Sequence, residues 1–247
     1  MPINDWFATP SYHPGQHMRG GEMRTFVWRT SGDMTRALAH RVAQHIRVRL
    51  AQAEQVRVAF SGGQPLPIFT ALSLEALEWS RVVITLADEN IVPTDSLDSH
   101  ARLIRHTLLR GLAAKATFEP IDVHGGRCSR NVADLANSLY VQPDVVVLGM
   151  ARDGRLGLIT ADVPELEAAL SGRAEPGYVA VHPRSSRVGR ISLNLAAVLS
   201  SRQIFLGVSG PDNLQVFESA RGAPCPALPI SLLMHQERVA VDVYQTA

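Results

Sequence analysis

Very little in this chain of 247 residues is unbalanced, and what is missing narrows its function first. Net charge is nearly absent: 24 Lys and Arg oppose 23 Asp and Glu, a formal +1. No overall field therefore selects for nucleic acid or for an acidic membrane surface. Long apolar runs are absent as well; none approaches the roughly 20 residues that span a bilayer. Cysteine is scarce. Cys128 and Cys225 stand far apart and outside any C-x-x-C or Cys/His pattern, which excludes a zinc ribbon or a disulfide scaffold. They read as two buried, reduced thiols in a reducing compartment. The N-terminus lacks a basic-then-apolar leader, so a cytoplasmic location is expected. Internal repeats and low-complexity tracts are missing too.

What is there is 46% apolar and 19% charged, the balance of an ordinary globular protein. The length suits one large α/β domain with a substantial core. Residues 1–22 hold Pro2, Pro10, Pro14, Gly15, Gly20 and Gly21 with little periodicity, and read as a loosely attached leader. Residues 23–247 read as a single domain.

Apolar runs predict strands at Met23–Arg29, Val56–Phe60, Val82–Ala87, Val145–Met150, Tyr178–Val181, Gln203–Val208 and Val239–Tyr244. Between them lie helical patterns. Met34, Leu38, Val42, Ile46 and Leu50 recur every four residues behind an Asp33 cap, with His40 and His45 off the stripe and solvated. Further helices are predicted over Pro67–Leu77, Ser99–Leu112, Asn131–Tyr140 and Asn213–Ala220, the second of these burying Leu103, Ile104, Leu108 and Leu112 on one face. The stretch Arg173–Gly189 reads as loop-rich. Apolar strands alternating with amphipathic helices give an α/β fold: a Rossmann-like, mostly parallel sheet with helices on both faces.

In such sheets ligands collect beyond the carboxyl ends of the strands, so the residues that close each strand matter most. Ser61-Gly62-Gly63 follows the second strand and precedes a helix. Its glycines suit a close backbone approach, and the helix start offers free N–H groups to an anion. A plain strand-to-helix turn explains the same residues. Asp88-Glu89-Asn90 closes the third strand, as a catalytic acid or a loop cap. Gly149 to Arg155 closes the fourth, with Asp153 and Gly154 at a turn that wraps a ligand or merely a surface.

Taken together, these junctions resemble the 6-phosphogluconolactonase family, over about residues 23–244. Ser61-Gly62-Gly63 is similar to its S-G-G-x-x-P loop. Ala87 to Pro93 is similar to its D-E-R-x-V-P segment, and Asp98 to Leu103 to the S-N-x-x-L that follows. Val147 to Gly154 resembles L-G-x-G-x-D-G, and Arg190-Ile191-Ser192-Leu193 resembles R-I-[ST]-L. Gly207-Val208-Ser209-Gly210 resembles a later glycine turn. The resemblance implies hydrolysis of 6-phospho-D-glucono-1,5-lactone in the oxidative pentose phosphate pathway. It implies no metal or other cofactor and a small-molecule sugar phosphate as partner, without nucleic acid or membrane, in a monomer or small homo-oligomer.

The family's D-G-H histidine is Arg155 here, and a guanidinium cannot serve as a general base. The D-E-R arginine is Asn90, the S-N asparagine is His100, and a later lysine is Asn213. The resemblance then implies Asp88, His100 and Asp153 as catalytic residues. It implies Ser61, Gly62, Gly63, Asn90, Gly154, Arg155 and Arg190 as phosphate and substrate ligands. His100 is the first candidate for the displaced base, His182 the second, and Asp88 itself the third. Two other readings stay open: a paralogue that binds a sugar phosphate without turnover, and a sugar-phosphate isomerase or deaminase on the same fold.

Overall fold

The computed structural model describes residues 11–13, 21–63, 67–123 and 129–246. The main sheet has eight strands: β1 (Ser11–His13), β2 (Met23–Trp28), β3 (Val56–Phe60), β4 (Val82–Leu86), β6 (Thr117–Glu119), β7 (Val145–Gly149), β10 (Gln203–Val208) and β11 (Val241–Thr246). They are ordered β1-β2-β11-β10-β7-β3-β4-β6. Every neighbouring pair is parallel except β1 with β2. Within the segment read as a leader, Ser11–His13 pairs with Thr25–Val27; the remainder of residues 1–20 lies outside the described residues.

Side chains alternate cleanly across this sheet, as the two-residue strand period requires. Val56, Val58, Phe60, Val145, Val147 and Phe205 face one core. Ala59, Val146, Leu148, Ile204, Leu206 and Val208 face the other. The first core is covered by α1 (Ser31–Leu50), α2 (Pro67–Ser73), α3 (His100–Thr107) and α4 (Ser129–Ser138). The second is covered by α5 (Leu166–Ala169), α6 (Leu195–Leu199), α7 (Pro211–Ala220) and α8 (Ile230–Met234). Both faces are thus buried, which is why the central strands read as continuous apolar runs. No helix among the described residues is long and apolar enough to cross a membrane.

Several local expectations need correction. Thr30, not Asp33, caps α1: its hydroxyl accepts from the Asp33 N–H at 3.1 Å. His45 is half-buried, edge-on to Phe205, whereas His40 is exposed as expected. The 99–112 helix ends at Thr107, and Leu112 is exposed in a following 3₁₀ turn at Gly111–Lys115, which Gly111 enters at φ +54°. Cys225 is free and exposed rather than buried; Cys128 lies outside the described residues.

A second, three-stranded antiparallel sheet is made by β5 (Asp88–Asn90), β9 (Arg190–Leu193) and β8 (Tyr178–Val181), in the order β5-β9-β8. It sits beyond the carboxyl end of β4. Ala87 N–H bonds Phe60 O at 2.8 Å, Leu193 N–H bonds Ala87 O at 2.7 Å, and the Tyr178 hydroxyl donates to Leu86 O at 2.7 Å. From β3 the chain passes outward to β4 and β6, then returns to β7 on the other side of β3. This reversal makes the carboxyl ends of β3 and β7 a topological switch point, and in open α/β sheets the crevice outside such a point is the ligand position.

Candidate functional site

Asp88 stands at the centre of that crevice and is fully buried. One oxygen, Oδ1, accepts from the Gly62 backbone at 3.1 Å and lies 2.7 Å from His100 Nδ1. That imidazole nitrogen also lies 2.9 Å from the Asp88 carbonyl oxygen. The carboxyl end of β3, the start of β5 and the first residue of α3 are therefore joined through one side chain. The other oxygen, Oδ2, is buried without a hydrogen-bond partner.

The small sheet decides what else faces the crevice. Its register sets Asp88 opposite Ser192 and Asn90 opposite Arg190. Directly paired residues share a face and alternate residues return to it, so these four side chains project together. Arg190 is half-buried, and its Nε has no partner. Burial, then the nearby Arg155 charge, push its pKa down, while Asp153, Asp162 and Asp88 pull it up. The loop after β7 closes this face. Gly157 adopts φ +58°, and a Cβ there would stand 2.6 Å from Ser192 Oγ and 3.1 Å from Asp88 Oδ2. Arg155, at the loop tip, is paired with Asp153 at 3.2 Å.

His100 has most of its surface buried, with 13% of its side chain exposed. Burial alone would lower its pKa. The Asp88 hydrogen bond and charge, the Glu89 charge and the Asp88 carbonyl outweigh it and raise the value to about 9. The ring therefore carries its proton at neutral pH. Asn90 Nδ2 donates to Asp98 O at 2.8 Å and lies 3.4 Å from His100 Nε2. Two N–H groups cannot bond each other, so the imidazolium keeps an uncommitted Nε2–H.

The glycines serve packing as much as any ligand. A Cβ on Gly62 would fall 2.1 Å from the His100 ring, so this glycine makes room for the imidazole. Gly154 adopts φ +64° and presses on Leu228, which a Cβ would meet at 2.1 Å. Ser61 is buried and its Oγ accepts from Gly63 N–H at 3.3 Å, while Gly63 itself is exposed. Gln64 and Pro65 of the same turn lie outside the described residues. His182 is turned to Glu165, with Nδ1 2.8 Å from its carboxylate. Asn213 donates to Ser209 O at 2.8 Å. Arg184 and Arg187 are exposed.

Sequence reasoning missed Glu89, which is only 1% exposed and binds the start of α3. Its local signal is a position ten residues before the predicted helix start at Ser99. A separate groove of about 470 Å³ lies where α1, α2 and α3 meet, lined by Thr35, Arg36, Thr70 and Thr107 among others. Among the described residues its one titratable side chain is Arg36, tied to Asp33, so no group that could serve as a general base lines it.

Comparison with known proteins agrees with this geometry. Residues 29–241 match the family model described as glucosamine-6-phosphate isomerases/6-phosphogluconolactonase. The chain is 34% identical over 228 residues to a 6-phosphogluconolactonase of Neisseria meningitidis serogroup A, covering 89% of this chain and 98% of that one. It is 31% identical over 224 residues to that of Helicobacter pylori strain J99, covering 89% and 96%. The crystal structure of a 6-phosphogluconolactonase from Shewanella baltica OS155 superposes with a TM-score of 0.80 at 32% identity, covering 90% and 97%.

Proposed function

From the glucosamine-6-phosphate isomerase/6-phosphogluconolactonase family, to which this chain belongs, we propose that it hydrolyses 6-phospho-D-glucono-1,5-lactone to 6-phosphogluconate, a step of the oxidative pentose phosphate pathway. The observation that carries the reading is the meeting of the buried Asp88–His100 pair with the unpartnered Arg190 on one face of the crevice.

Arg190 and Arg155 hold the phosphate. A guanidinium matches phosphate oxygens in a two-point fork, and Arg190 has no competing acid in contact. Arg155 exchanges Asp153 for the substrate, so Asp153 orients that arginine instead of moving protons. His100 is displaced from the base role expected of it, because a ring protonated up to about pH 9 has no lone pair to offer. Its Nε2–H instead donates to the C1 carbonyl oxygen and stabilises the oxyanion. Asp88 Oδ2, without a donor in the resting state, takes a proton from the attacking water. The C–O bond forms, the tetrahedral centre collapses, and the ring C1–O5 bond breaks. The departing O5 receives the proton held by Asp88, and the new carboxylic acid ionises. Ser61, Gly62, Gly63 and Asn90 shape the wall around His100, and Gly154 shapes the turn that presents Arg155.

The test is a lactonase assay on freshly made substrate with spontaneous hydrolysis subtracted. A protein-dependent rate that D88N lowers by about 100-fold or more is expected, the scale of a lost general base. Arg155 in the family's histidine position favours one alternative, a chain that binds without turnover. Binding of 6-phosphogluconate with no added rate would establish that alternative; neither binding nor rate would remove both.

A further inference from the structure

Glu89 adjoins the crevice and has no part in the chemistry above. Its carboxylate is the junction that joins β5 to the first turn of α3. One oxygen accepts from Asn90 N–H at 2.8 Å and His100 N–H at 2.7 Å. The other accepts from Ala101 N–H at 2.7 Å and the Ser99 hydroxyl at 3.1 Å. A side chain that is 99% buried thus has four donors, three of them on backbone groups of α3's first turn or β5. A carboxylate at a helix N-terminus also meets the positive end of the helix dipole. The arrangement is costly for ordinary capping. Ser99 already caps α3 with its own hydroxyl, 3.2 Å from Arg102 N.

We infer that Glu89 is a positioning residue for substrate binding: it clamps the first turn of α3 against β5 so that the His100 ring is held over Gly62 with its Nε2 edge turned to the sugar phosphate. Asp88 fixes the ring from its Nδ1 side, and Glu89 fixes the backbone from which the ring hangs. The charged groups acting on His100 are Asp88 and Glu89, both on β5. Glu89 therefore contributes geometry and charge at once, and the two can be separated by substitution. This inference rests on the proposed function for its ligand, but not for its first readout.

The experiment compares the wild type with Glu89→Gln and Glu89→Asp. E89Q keeps the shape, removes the charge and turns an amide NH₂ towards donors. E89D keeps the charge but is one methylene too short to hold both sides of the junction. In E89Q, NMR titration of His100 should give a midpoint about one unit or more below the wild-type value, since a buried charge a few ångströms away shifts a pKa by that order. Its affinity for 6-phosphogluconate should fall about 10-fold and weaken further as pH rises from 7 to 9. In E89D the midpoint should stay within about half a unit of wild type while affinity still falls several-fold, because only the geometry is lost. A role confined to stability would lower the melting temperature of both variants and leave midpoint and affinity unchanged, overturning the inference. Should E89Q fail to fold, E89D decides alone: unchanged affinity overturns the clamp. If the wild type binds no sugar phosphate, the functional reading fails, and the His100 midpoint in E89Q still tests Glu89.

Discussion

The two walls of the crevice differ in how their charges are held. On the β5–α3 wall, Asp88, Glu89 and His100 are buried, interlocked and joined to backbone groups. On the wall formed by the loop after β7, Arg155 and Asp153 are partly exposed and make one pair with each other. Arg190 lies between, half-buried and unpartnered. The difference teaches where precision and adaptability reside. A buried, multiply bonded carboxylate holds a ring in one place because releasing it would strand charges away from water. An exposed pair contributes little to stability and can be exchanged for a ligand at small cost.

That contrast can be broken at either wall. The largest effect is expected at the buried one. D88N leaves His100 without its counter-charge, and losing one partner of a buried pair costs about 3–5 kcal/mol; chemical denaturation would read the stability loss. G62A comes next. Its Cβ would meet the His100 ring at 2.1 Å, and overpacking of this kind costs about 1–3 kcal/mol. Calorimetry should also show weakened sugar-phosphate binding as the ring is displaced. R190Q should leave the melting temperature nearly unchanged while weakening 6-phosphogluconate binding by about 10- to 100-fold, the value of a charge-assisted two-point contact. R155Q should have the smallest effect, about 2- to 5-fold on the same affinity, since this arginine gives up its partly exposed pair with Asp153 to bind. Equal losses at Arg190 and Arg155 would erase the proposed distinction between the walls.

Stability against pH sharpens the same comparison. His100 binds its proton more tightly in the folded chain than in the unfolded one. Its stabilising contribution is therefore complete below about pH 6.5, the ordinary histidine value, and is lost as pH rises through about 9. Denaturation midpoints should decline across that window in the wild type, and the decline should be much reduced in H100Q.

The fold is legible wherever a strand is central. Val56–Phe60 and Gln203–Val208 match their predicted bounds, because apolar runs ended by turn residues report burial directly; the edge strand Tyr178–Val181 matches as well, although it is largely half-buried. The second sheet was only half legible. Asp88-Glu89-Asn90 reads as a loop because acids and amides are depleted in strands, and its pairing with Arg190–Ser192 is a contact across a hundred residues. Position after a strand picks out candidates such as Gly62 and Asp88, but not their partners. Nothing local marks Gly62 as the floor under His100, 38 residues on. Nor does the apolar stripe of α1, repeating every fourth residue, reveal that His45, off that stripe, meets Phe205. Glu89 shows the limit most plainly. Its burial is compensated by donors from a helix whose start the sequence placed correctly and whose docking it could not place.

The central claim is that a paired imidazolium at position 100 faces the bound sugar phosphate. Calorimetric titration of the wild-type chain with 6-phosphogluconate from pH 6.5 to 10 tests it most directly. Affinity that is nearly level to about pH 8 and then falls with a midpoint near 9 is the predicted result. Affinity that falls with a midpoint near 6.5, or shows no such step, would contradict it.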